Sequence, residues 1–110
     1  MKIWEILQQT DAYCPPDWAE SWDACGLQIG DTERDTEGVL VCLDVDDYSV
    51  SDAVVNRCGL ILSHHPLLFD PVRVIDEATP EGRLIARIIR ERLTVYSMHT
   101  NLDRIRGGVS

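Results

Sequence analysis

The sequence predicts an α/β fold: a βαβαβ core with a mostly parallel sheet flanked by helices, preceded by two short N-terminal helices. Three observations predict it. Three short runs rich in β-branched and apolar residues, 39–45, 60–65 and 93–99, read as strands. The two segments between them carry helical apolar spacing and recognisable start signals. The order strand, helix, strand, helix, strand, joined by right-handed crossovers, makes the three strands parallel.

Taken in order, residues 2–9 place Ile3, Trp4, Ile6 and Leu7 on one face of a short helix, which Cys14-Pro15-Pro16 ends. Proline also suits the first position of a helix, and a second one would carry Trp18 and Trp22 on one face as core anchors. Gly26-Leu27-Gln28-Ile29-Gly30 reads as a short alternating strand. The run 39–45 is nearly continuous in apolar residues, the pattern of a strand buried on both faces. Residues 49–58 read as a helix capped by Ser49, with Val50, Val54 and Val55 inward and Gly59 as its stop. Residues 60–65 form the next strand, and Pro66, lacking an N–H, forces the chain out of the ladder. Thr79-Pro80-Glu81 opens a helix with Leu84, Ile85, Ile88 and Ile89 as its apolar stripe and Arg83, Arg87 and Arg90 on the wet side. Residues 93–99 close the set.

The 110 residues suit one domain, residues 1–110, with an apolar fraction of 45% and a charged fraction of 26% that exclude a disordered chain. A formal charge of −9 disfavours nucleic acid as a partner, because phosphate binding needs basic side chains. No run approaches the ~20 apolar residues of a membrane helix, and the charged start Met1-Lys2-Ile3-Trp4-Glu5 is no export signal, so the expected address is cytoplasmic and no membrane partner is expected. Cys14, Cys25, Cys42 and Cys58 contain no C-x-x-C pair and are expected to be reduced, mostly buried and uninvolved in metal binding.

Parallel strands bring their carboxyl ends to one edge, where open α/β folds build their sites. Asp44 and Asp46 end the first long strand, His64 and His65 the second, and His99 the third, with Asp103 shortly after. All three histidines of the chain therefore fall at one edge, with no serine or cysteine nucleophile spaced beside them, and this donor set points to a divalent transition metal such as Zn, Mn or Fe. Asp44 and Asp46 read as a helix-capping or solvated turn pair. Adjacent strand residues point to opposite faces, so His64 and His65 share one ion only if the chain turns at Pro66, or else hold one ion each.

The blocks Trp22-Asp23-Ala24-Cys25-Gly26-Leu27-Gln28-Ile29-Gly30, Leu43-Asp44-Val45, Ser63-His64-His65-Pro66-Leu67 and His99-Thr100-Asn101-Leu102-Asp103 closely resemble, in order, the motifs of the dinuclear-metal family of the Ngg-one-interacting factor three type, whose members carry the label GTP cyclohydrolase type-two homologue. The resemblance implies two metal ions per complete site, with His64, His65 and Asp103 as ligands and His99 beside them. It implies a metal-dependent hydrolase acting on a nucleotide or phosphorylated small molecule, or alternatively a non-catalytic metal-binding or regulatory protein, assembled as a homo-oligomer. Catalytic residues stay unassigned. The family completes its site with a histidine and a glutamate from a later segment, so the chain is expected to be the N-terminal part of a longer protein and inactive alone. Two departures from the pattern are Asp46, where a threonine is common, and Ser110, where Gly-Val is usually followed by asparagine.

Overall fold

A computed structural model describes residues 1–13 and 26–98. Helix α1 spans Ile3–Tyr13, followed by β1 (Gly26–Ile29), β2 (Val39–Cys42), α2 (Asp47–Val55), β3 (Leu60–Ser63), α3 (Pro80–Arg90) and β4 (Thr94–Ser97). The strands form one sheet in the order β1-β4-β3-β2. The expected βαβαβ unit is present: β2, β3 and β4 are mutually parallel, and β1 pairs antiparallel with β4, making the sheet mixed.

Because β2, β3 and β4 step across the sheet in one direction, two right-handed crossovers put α2 and α3 on the same face. Val50 and Ala53 of α2 and Ile88 of α3 accordingly pack with Ile61 and Val95 in one core. The opposite face is left for α1, whose Ile3 and Leu7 pack on Leu60 and Tyr96. Alternation along the strands supplies both cores, Leu60 to one and Ile61 to the other.

Several expectations are corrected. Helix α1 has eleven residues and outruns the expected 2–9, since no glycine or proline interrupts residues 9–13. The segment read as a second helix, with Trp18 and Trp22, lies outside the described residues. Helix α2 is capped by Asp46, whose carboxylate accepts from the Ser49 N–H at 2.8 Å while Ser49 Oγ accepts from the Asp46 N–H at 2.8 Å. This reciprocal box satisfies two amide donors, which explains why the helix begins earlier than Ser49. It also ends earlier, at Asn56, with Arg57 in the left-handed region at φ 56°. Gly59 is required instead by close approach, since a Cβ there would meet Thr36 Oγ1 at 2.8 Å.

The inner residues of α2 are Ser49, Val50 and Ala53; Val54 and Val55 face out. Strand β2 is an edge strand rather than one buried on both faces, and Val41 is 76% exposed. Helix α3 starts as expected, Thr79 Oγ1 accepting from the Gly82 N–H at 3.1 Å with Pro80 in its first turn. Its apolar stripe is narrower than expected, with Ile85 and Ile88 buried and Ile89 exposed. Arg87 is not merely solvated: its guanidinium donates to Ser51 Oγ at 2.9 Å and to the Asp47 carbonyl at 3.2 Å, tying α3 to α2.

Candidate metal centre

The candidate site is built where β2 and β3 run out together. Cys42 and Ser63 are the last register partners of this parallel pair. The ladder does not stop there, because His64 N–H donates to the Cys42 carbonyl at 3.0 Å and His65 N–H to the Leu43 carbonyl at 2.8 Å. Continuing the register by two residues sets Asp44 abreast of His65 on the α2 and α3 side of the sheet. There His65 Nδ1 lies 2.7 Å from Asp44 Oδ1. A carboxylate only accepts, so Nδ1 is the donor in this bond.

The chain bends at His64 and His65, ahead of Pro66. That bend brings the two imidazoles together, with ring centroids 4.9 Å apart and planes inclined at 47°. A regular strand would send them to opposite faces. The segment beyond is anchored to β1, Leu68 N–H donating to Gln28 Oε1 at 2.8 Å.

His64 also borders a cavity of about 730 Å³ between α1 and the sheet, walled by Ile6, Val41, Leu43, Leu62 and Met98. On the other side of the sheet, Ser63 and Ser97 are register partners at the strand ends, 2% and 0% exposed. Their hydroxyls are buried with no hydrogen-bond partner among the described residues. Burial pushes the Cys42 thiol above its ordinary pKa; the nearby Asp46 and Asp44 charges add to this and a hydrogen bond with Ser49 opposes it.

Of the four residues expected to hold metal, His64 and His65 are brought together as described, and His99 and Asp103 lie outside the described residues. Among the described residues no group of three or more histidine, cysteine, aspartate or glutamate side chains converges. Cys42 and Cys58 are half-buried and not bonded to each other, and Cys14 and Cys25 lie outside the described residues. Asp46 caps α2, as one reading of the Asp44 and Asp46 pair expected. Asp44 does not, and its part in the site was missed. The available signal was its position two residues past the β2 terminus, which matters only once the β2–β3 register is known. No described helix is long and apolar enough to cross a membrane.

Curated relatives include proteins named GTP cyclohydrolase 1 type 2 homolog from Listeria innocua, 40% identical over 107 residues, and from Lactococcus lactis, 32% identical over 110 residues. These matches cover 97% and 100% of this chain but only 29% and 43% of the relatives, so the chain spans less than half their length. Among solved structures, a Bacillus cereus protein related to NIF3 superposes with a TM-score of 0.95 at 32% identity, covering 98% of this chain and 30% of that protein. Reduced HcgD from Methanocaldococcus jannaschii superposes with a TM-score of 0.89 at 29% identity, covering 98% and 43%. With residues 1–110 matching the family model in full, the chain belongs to the Duf34/NIF3 (NGG1p interacting factor 3) family.

Proposed function

We propose that this chain supplies the histidine-bearing half of a divalent-metal site in a metal-dependent hydrolase acting on a nucleotide or a phosphorylated small molecule. The observation that carries the reading is the convergence of the His64 and His65 rings at the carboxyl edge of the parallel strands. The donor chemistry fits a borderline-soft ion such as Zn, Mn or Fe: neutral imidazoles, one of them hydrogen-bonded to a carboxylate in the manner of metal-bound histidines. His64 and His65 would hold the metal, with Asp103 and His99 as further donors by resemblance to the family, whose complete site takes two ions. A bound divalent ion there lowers the pKa of a coordinated water and stabilises charge developing on the substrate. The chain's own contribution is positional. The ladder bonds from His64 and His65 fix both backbones, and Leu43, Leu62 and Met98 line the His64 side with apolar surface. The relatives' name, GTP cyclohydrolase 1 type 2 homolog, is in keeping with a nucleotide substrate.

Zinc titration of the chain and of a His64→Ala, His65→Ala double variant tests this. Binding is expected in the first and not in the second. It should weaken between about pH 7.5 and about pH 5.5, because free imidazole titrates near ~6.5 and only its neutral form ligates. Unchanged affinity in the double variant would refute the site. A second reading, a non-catalytic metal-binding or interaction protein, is favoured by the interacting-factor name of the family and by the exposed apolar residues Val41 and Leu43 beside the histidines. Metal binding without turnover of GTP or a panel of phosphate esters, in a chain of the relatives' full length, would select it.

A further inference from the structure

The two carboxylates that follow β2 have different partners. Asp46 is engaged in the α2 cap through Ser49. The Asp44 carboxylate instead meets His65 Nδ1 at 2.7 Å, across 21 residues of sequence. Both side chains of this pair are open to solvent, at 66% for Asp44 and 50% for His65, so burial does not force them together. What brings them abreast is the register, continued past Cys42 and Ser63 by the ladder bonds from His64 and His65.

We infer that Asp44 is the positioning residue of the metal centre: it holds His65 in the tautomer and ring orientation that present Nε2 to the ion. The inference rests on the metal reading given above. A hydrogen on Nδ1 directed at a carboxylate leaves Nε2 as the nitrogen that can ligate. The ring is also stopped from flipping, since exchanging Nδ1 for the Cδ2 edge would break the bond. Both residues lie just past the strand ends, Asp44 after β2 and His65 after β3. Replacing Asp44 therefore leaves the core and the α2 cap untouched, unlike replacing Asp46.

The experiment has two readouts on the 110-residue chain. Nitrogen-15 correlation spectra of the metal-free protein report the tautomer of each histidine. His65 is expected to be Nδ1-protonated in the wild type and to lose that preference in Asp44→Ala. Zinc titration is expected to show a ten- to hundredfold loss of affinity in Asp44→Ala, the usual effect of removing such a partner. Asp44→Asn, whose side-chain carbonyl still accepts from Nδ1–H, should recover the tautomer and part of the affinity. Asp52→Ala, which removes an exposed acidic side chain elsewhere, should leave both readouts at wild-type values, separating positioning from net charge. An Nε2-protonated His65 in the wild type, or Asp44→Ala binding zinc as tightly as the wild type, overturns the role of Asp44 alone. A wild-type chain that binds no zinc overturns the metal reading and this role with it.

Discussion

The two ends of the parallel strands treat their hydroxyl groups in opposite ways. At the amino ends, Thr36 Oγ1 accepts from the N–H of Gly59 at 2.8 Å and of Gly38 at 3.3 Å, and donates to the Gly38 carbonyl at 2.7 Å. Thr94 Oγ1 there accepts from the Asp31 N–H at 3.2 Å. At the carboxyl ends, Ser63 and Ser97 are as deeply buried as Thr94, yet their hydroxyls have no partner among the described residues. Beside them stand two histidines, their ring centroids 4.9 Å apart, and an aspartate whose carboxylate meets His65 Nδ1 at 2.7 Å. A buried hydroxyl without a partner carries a desolvation cost of about 1–3 kcal/mol. The amino-end hydroxyls thus stitch the strand starts to their neighbours, and among the described residues the carboxyl-end pair does not.

The strongest way to break the comparison is at the amino ends. Gly30 has φ 131°, and a Cβ there would lie 2.6 Å from Thr94 Cα, against backbone that cannot yield. Gly30→Ala combines that clash with strain, and should cost on the order of 3 kcal/mol in urea unfolding. A variant within experimental error of the wild type would show that this end is looser than its geometry implies.

A pair of hydroxyl deletions sharpens it. Thr36→Val keeps the shape and strands the Gly59 and Gly38 amides, so it should destabilise by about 1–3 kcal/mol. Ser97→Ala removes a group that bonds to nothing described, and should fall within about 0.5 kcal/mol of the wild type or exceed it in stability. Equal losses from the two substitutions, measured under the same conditions, would erase the distinction between the ends.

The smallest effect concerns Cys42. Its thiol is raised above the ordinary value of 9.0 first by burial and then by Asp46 and Asp44, against the opposing Ser49 hydrogen bond. For a group whose folded pKa is raised, stability is complete below the unfolded pKa and is lost as pH climbs through the folded one. Unfolding midpoints should therefore decline above about pH 9 in the wild type and decline less in Cys42→Ala. Alkylation of Cys42 at the rate of an unfolded thiol at about pH 8 would contradict a protected thiol.

The parts of this protein that sequence reading reached share one property: they are set by neighbours within a few residues. Thr79, Pro80 and Gly82 lie within one turn, so the start of α3 was legible. The three strands announced themselves by runs of Val, Leu and Ile, and their parallel sense by the helices that connect them. The histidines at the end of β3 could be placed at the carboxyl edge for the same reason. The exposure of Val41 could not, because an interior strand and an edge strand have the same apolar composition until the sheet order is known.

The sequence by itself determined the alternation of elements, the caps that start α3, and the family to which the chain belongs, since each is written in contiguous residues or motif order. Only the tertiary structure decided that β1 runs antiparallel beside β4, that His64 and His65 converge rather than diverge, and that Asp44 serves His65 instead of capping α2. The strand pairing and the Asp44–His65 contact are matters of register between strands far apart in the chain, and the histidine convergence follows from the bend ahead of Pro66. A shift of one residue in that register would turn Asp44 to the opposite face from His65, and no local preference in either segment distinguishes the two alignments.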